Sequence, residues 1–275
     1  MLTARRVREL LRDHQLAPNR RLGQNFVVDH NTLRKVVRDA GVGGGTRVCE
    51  VGPGLGSLTL ALRDAGAHVT AIEVDAGMVR ALREVIGVDP MVCIVHADVR
   101  SVDLSQLVPR PAMVVANLPY SIATSVTLDI LALEHFDRLH LMVQREVGQR
   151  WCATVGDPLF GAVSVKIAAF ADAQLRARVS RRAFYPVPNV DSVTVGLRPR
   201  PWTAAIDRPA VLTLVDRGFA TRRKTLPNAL APHIPAAAVD AALVDVGRPR
   251  DARAEQLDLP TWCELAIALR ERHIA

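Results

Sequence analysis

The 275-residue sequence predicts a doubly wound α/β domain over residues 1–200 and a small all-helical domain over 201–275. Three observations carry this. From Arg47 to about residue 198, short apolar runs alternate with stretches of helical period, the mark of a sheet covered on both faces. The first of those runs ends in a glycine-rich turn, Gly52-Pro-Gly-Leu-Gly56. Beyond Arg198-Pro-Arg-Pro-Trp202, a proline-broken boundary, only helical periodicity remains.

Residues 3–13 read as a short basic helix and Ala17 to Leu22 as an extended basic linker. Asn31 to Ala40 reads as a helix, with Asp29 or Asn31 near its cap. A strand from Arg47 runs into the glycine turn, and Ser57 to Asp64 follows as a helix. A second strand, His68 to Ile72, ends at Glu73, and a third, Met91 to Val95, ends at His96-Ala97-Asp98. The apolar run Ala112 to Ala116 reads as a buried parallel strand and opens into Asn117-Leu-Pro-Tyr120. The last strands are expected near 162–170 and 192–198. With no convincing helix between them, they form an antiparallel hairpin that closes the sheet. Helices are predicted at about 209–220, 224–231, 236–245 and 260–271.

Net charge is +7, and 32 of the 35 basic residues are arginine. The charge is uneven: residues 1–21 carry six arginines against two acids, and residues 176–200 carry six against one. Those segments are candidate contacts for a polyanion, or solvated basic faces. Cys49, Cys93, Cys152 and Cys263 are scattered without metal-ligand spacing, and no two of the eight histidines form an H-x-x-x-H pair. Neither a metal nor a disulfide is expected, as suits a reducing cytoplasm. Cys49 and Cys93 fall in predicted buried strands, where a thiol acts as a small hydrophobe. The N-terminus is charged at once and no apolar run approaches the length of a membrane span, so a cytoplasmic protein without a signal peptide is expected.

The glycine spacing is G-x-G-x-G, with Glu50 two residues before the first glycine. This is not the dinucleotide fingerprint, and a phosphate would not welcome that carboxylate. A cation would. Glu73 at the second strand end suits ribose hydroxyls, and Asp98 at the third can accept from an adenine amine. Each acid alone is more often a solvated loop residue or helix cap. Together they suit a nucleoside that carries positive charge and no phosphate, which describes S-adenosylmethionine better than a nicotinamide nucleotide. Asn117 can accept from an exocyclic amine, Pro119 stiffens the turn and Tyr120 can stack on a base. Taken alone, the tetrapeptide is equally a capped turn with a core tyrosine.

With these motifs in order, the chain resembles the ribosomal RNA adenine dimethyltransferases over about residues 18–270. The resemblance rests on Gly23-Gln-Asn-Phe-Val-Val-Asp29, Glu50-Val-Gly-Pro-Gly-Leu-Gly-Ser-Leu-Thr59, Asn117-Leu-Pro-Tyr120 and Phe184-Tyr-Pro-Val-Pro-Asn-Val-Asp-Ser192. Two later stretches also match: Phe219-Ala-Thr-Arg-Arg-Lys-Thr-Leu-Pro-Asn-Ala-Leu230 and Arg253-Ala-Glu-Gln-Leu257. It implies a Rossmann-like class I methyltransferase sheet. It implies S-adenosylmethionine held by Asn25, Val27 (through its backbone), Gly52, Gly54, Glu73, Asp98 and Asn117. Glu50 is expected near the cofactor too, and Gln24 is either a contact or a structural hydrogen-bonder.

For catalysis it implies the Asn117 side-chain oxygen and the Leu118 carbonyl as acceptors for the adenine N6 amine, in a turn set by Pro119. Tyr120 and Phe184 are expected against the two faces of the base. Arg181, Arg182, Arg222, Arg223 and Lys224 are candidate RNA contacts. The implied substrate is small-subunit ribosomal RNA during ribosome maturation, two adjacent adenosines being dimethylated by a monomeric enzyme. A sister group, the large-subunit rRNA adenine methyltransferases of macrolide resistance, shares several motifs. A non-catalytic assembly factor is a third reading, from another class. The chain departs from the family in Ser121-Ile-Ala-Thr-Ser-Val126, which has serine first and no proline, in Val27 for the commoner leucine, and in a lightly charged loop over 151–160.

Overall fold

The computed structural model describes residues 1–18, 24–221 and 223–272. Most of the expected basic linker at 17–22 lies outside the described residues, as do Gly23 and Arg222. The chain forms two compact units, Met1–Gly148 with Ala173–Pro199, and Gln149–Asp172 with Arg200–Ala275.

The first unit is built on seven strands in the order β4-β3-β2-β5-β6-β9-β7. They are β2 (Arg47–Val51), β3 (His68–Glu73), β4 (Val92–His96), β5 (Met113–Asn117), β6 (Arg138–Gln144), β7 (Ala171–Val179) and β9 (Ser192–Pro199). Strands β4 to β6 pair in parallel, with Cys49 opposite both Thr70 and Val114. Strand β9 runs antiparallel to β6 and separates it from β7. The winding reverses between β2 and β5, whose carboxyl ends carry the glycine turn and Asn117. That reversal opens a crevice in any doubly wound sheet.

Helices α2 (His30–Ala40), α3 (Ser57–Asp64), α4 (Ala76–Ile86), α5 (Leu104–Leu107) and α6 (Ala123–Ala132) belong to this unit. Asp29, Asp75 and Asp103 cap α2, α4 and α5 by accepting from first-turn N–H groups. Helix α1 (Ala4–Asp13), capped by Thr3, buries Val7, Leu10 and Leu11. Strands β1 (Phe26–Val27) and β8 (Phe184–Tyr185) form a small antiparallel ribbon, with Phe26 opposite Tyr185 and Val27 opposite Phe184.

Two expectations need correction. Helix α7 (Arg145–Trp151) is followed by residues 162–170 as helix α8 (Ala162–Phe170), and the strand is β7 just after it. Gly161 donates its N–H to Ser164 Oγ at 3.2 Å, which starts a helix that the unbroken apolar run disguised. Cys93 is exposed, because β4 is the edge of the sheet.

In the second unit, α9 (Arg208–Phe219), α10 (Leu226–Leu230), α11 (Ala236–Asp245) and α12 (Leu259–Glu271) bury Val211, Val215, Leu226, Leu243 and Leu265 around Trp262. Phe160 and Val165 join the same core. That packing draws Gln149–Asp172 into the helical unit, so the sequence boundary at 200 separates only the later part of it.

Candidate active site

The carboxyl ends of β2, β3 and β5, the loop after β4 and the entry strand β1 line one cleft in the first unit. Asn25, Val27, Gly52, Gly54, Glu73, Asp98, Asn117 and Pro119 all lie on it, with Gln24 and Glu50. Arg100, Ser121 and Ile122 line it too, and the sequence did not single them out as site residues. Their only signal is position, just past a strand-end acid or the tetrapeptide.

The glycine turn has the backbone its composition demands. Gly54 has φ +57°, and a Cβ there would lie 2.9 Å from the Phe26 ring, so the entry strand packs directly on bare backbone. At Gly52, φ +68°, a Cβ would point at Pro119 Cδ 3.7 Å away, on the side where the tetrapeptide closes the cleft.

Glu73 is 5 % exposed. Its Oε2 accepts from Gly54 N–H at 3.0 Å and its Oε1 from Asp75 N–H at 3.0 Å, so one carboxylate ties β3 to the turn. Burial raises its pKa, while those N–H groups pull it down. Glu50 is 1 % exposed, and its Oε2 has no hydrogen-bond partner among the described residues. Burial pushes its carboxyl up to about 8, against the Thr59 hydroxyl and with help from the Glu73 charge. Asp98 is exposed and accepts from Arg100 N–H at 2.9 Å. The Val27 side chain is buried, which leaves its backbone for any cofactor contact.

Asn117 Nδ2 donates to the Asn25 carbonyl at 3.0 Å. A carbonyl only accepts, so this bond settles which side-chain atom is nitrogen and turns Oδ1 the other way. Leu118 N–H donates to the Met142 carbonyl at 3.1 Å and its side chain is buried, which holds the tetrapeptide backbone against β6. Tyr120 is half-buried, and its hydroxyl meets Ser192 Oγ at 3.0 Å. Burial raises its pKa, against that hydrogen bond. The bond joins the tetrapeptide to the last residue of the Phe184–Ser192 motif.

Phe184 requires correction. It is 2 % exposed and packs in the core that also holds Phe26 and Val27, so its ring offers no free face to a base. The alternation of β8 turns its neighbour Tyr185 outward instead, half-buried, with the Arg8 guanidinium 5.9 Å from its ring centre. Arg181 and Arg182 are exposed beside it, the Arg181 backbone donating to Asp191 at 3.0 Å. In the helical unit, Arg223 and Lys224 are exposed. Among the described residues there is no group of three metal-ligating side chains, and no helix is long and apolar enough to cross a membrane.

A family model described as ribosomal RNA adenine dimethylase matches residues 16–270. The chain belongs to this family. Among curated relatives of this adenine dimethylase, the ribosomal RNA small subunit methyltransferase A of Leifsonia xyli is 43 % identical, covering 94 % of this chain and 95 % of the relative. That of Thermobifida fusca is 41 % identical, covering 97 % and 95 %. Among solved structures, a dimethyladenosine transferase from Plasmodium falciparum shares the fold with TM-score 0.77 at 21 % identity, over 90 % of this chain and 98 % of that one. The 23S rRNA methyltransferase ErmE aligns with TM-score 0.68 at 26 % identity, over 90 % of this chain and all of the other. The sheet is therefore that of the class I methyltransferases.

Proposed function

We propose that this chain transfers methyl groups from S-adenosylmethionine to the exocyclic N6 of adenosines in small-subunit ribosomal RNA, dimethylating two adjacent ones. The observation that carries the chemistry is the Asn25–Asn117 bond, which engages the amide nitrogen and leaves the oxygen as the acceptor of a residue that lines the cleft. The cleft suits this cofactor. Its buried Glu50 oxygen, without a partner among the described residues, suits positive charge, and Gly52 and Gly54 lie on its wall. When bound, S-adenosylmethionine supplies an electrophilic methyl on a sulfonium that leaves without acid or metal.

The residues address the weak nucleophile. The N6 lone pair of adenine is shared with the ring. Asn117 Oδ1 and the Leu118 carbonyl accept from the two amine hydrogens, which favours a pyramidal nitrogen and aims its lone pair at the methyl. A donor held in this cleft would pass its methyl to that nitrogen as its S–C bond breaks, the amine proton leaving to solvent. The adenine must first unstack from its neighbours, and the Tyr120 ring, tethered at its hydroxyl by Ser192, offers a face worth roughly 1–3 kcal/mol. Glu73 binds the ribose and Asp98 the adenine amine of the cofactor.

ErmE favours the sister reading through its similar fold, but the relatives above 40 % identity carry the small-subunit name. Labelled methyl transfer to undermethylated small and large subunits, followed by nucleoside analysis, separates the two. Dimethyladenosine in the small-subunit RNA supports the proposal, and label confined to large-subunit RNA overturns it. Asn117→Ala should abolish transfer while cofactor affinity stays within a few-fold, and full activity in that variant would sink the proposed mechanism.

A further inference from the structure

Glu50 has a placement that holding a cofactor alone does not explain. It lies in β2, two residues before the Gly52 that faces Pro119, and β2 pairs with β5, which carries Asn117. It is 1 % exposed, lines the cleft, and presents an oxygen with no partner. Among the described residues, no protein cation answers it. Arg100 is the one cation on the cleft wall among the described residues, and its guanidinium is engaged by Ser125 and Asp129. The other groups around Glu50 are acids or neutral: Glu73 from β3, Thr59 and Ser57 from α3, Cys49 beside it in β2, and Asp98 across the cleft. A buried carboxylate with no counter-charge is costly, so the protein by itself favours its neutral form.

We propose that Glu50 reads the charge on the cofactor's sulfur, favouring the sulfonium of the methyl donor and disfavouring the uncharged thioether left after transfer. This rests on reading the cleft as an S-adenosylmethionine site. Asn117 marks where the amine meets the methyl, so the sulfur lies near Asn117, and Glu50 is on the neighbouring strand. When a sulfonium enters, the Glu50 carboxyl ionises and releases its proton to solvent. When the methyl has gone, the sulfur no longer offers a positive charge to the carboxylate, which takes a proton back. Glu50 is thus a specificity-determining residue that helps empty the site between turnovers, which matters for an enzyme that must reload to methylate one base twice. Its raised pKa agrees, since burial and the Glu73 charge keep the carboxyl neutral until a cation arrives.

The test is calorimetric titration of the intact protein, without RNA, with S-adenosylmethionine and separately with S-adenosylhomocysteine. Buffers of different ionisation enthalpy count the protons released. The donor should release more protons at neutral pH than the product does. The ratio of product Kd to donor Kd should rise by up to about tenfold per pH unit from about pH 6 towards about pH 8. Glu50→Gln should lose the extra proton and compress that ratio. Both ligands carry an amine that can also release a proton, more readily beside the donor's sulfonium, and that contribution persists in the variant as the internal control. Equal proton release from both ligands, or a ratio independent of pH in the wild-type protein, overturns the inference. Failure of S-adenosylmethionine to bind overturns the cofactor reading beneath it.

Discussion

His140 lies within β6, 3 % exposed, opposite Gly196 of β9, and its Nε2 lacks a hydrogen-bond partner among the described residues. Burial lowers its pKa from 6.5 to about 4, with Asp39 pulling it up and Arg176 and Lys35 pushing it down. The unfolded chain therefore takes up this proton before the folded one does. The neutral side chain supports the fold fully above about pH 6.5, and that support is lost as pH falls towards about 4, up to about 3 kcal/mol. Denaturant midpoints measured from about pH 7.5 down to about pH 4.5 should fall, and His140→Leu should flatten that trend. Little of this is legible in sequence, because a histidine in an apolar run reads the same whether or not its second nitrogen finds a partner. The places of Asn117, Glu73 and Asp98 on the cleft were legible, because each stands at or just past the end of an apolar run that alternates with helical stretches. Phe184 was misread for a local reason. Two aromatics stand side by side, and only pairing with the distant β1 decides which of them faces the core.

Helices α9 and α12 meet at a glycine. A Cβ on Gly218 would lie 2.5 Å from the Trp262 ring and 3.0 Å from Leu226, both fully buried. Helix propensity alone would make Gly218→Ala stabilising by about 1 kcal/mol. Overpacking a rigid indole costs about 1–3 kcal/mol, so the net effect should be destabilising. A lower melting temperature for the full-length variant checks this, and a higher one would mean that the interface yields easily. The four C-terminal helices were legible from their period, to within a few residues at each end. Helix α8 was not, since Ala162–Phe170 is apolar with little periodicity, and a short run of that kind fits a strand and a buried helix equally well. The exposure of Cys93 was hidden for the same kind of reason. Strand order, not strand composition, makes β4 an edge.

The sequence carries a net charge of +7, distributed in patches. Arg181 and Arg182 project from the first unit, and Arg223 and Lys224 from the helical one. If the helical unit holds RNA through phosphates, replacing Arg222, Arg223 and Lys224 with alanine should weaken binding at every sequence tested. It should also flatten the slope of log K against log salt by about 2, and an unchanged slope would remove this cluster from the interface. The alternation of strand and helix made the doubly wound architecture legible. The affiliation of Gln149–Asp172 was not, because it depends on Phe160 and Val165 packing against helices that come much later in the chain. Order of synthesis gives the β1–β8 ribbon one more consequence. The polypeptide leaves the ribosome N-terminus first, so Phe26 and Val27 emerge long before Phe184 and Tyr185. Until those partners arrive, the entry strand is unpaired, and so is the segment whose Asn25 carbonyl orients Asn117. A chain from which Phe184 and Tyr185 have not yet emerged therefore lacks the ribbon that frames the site.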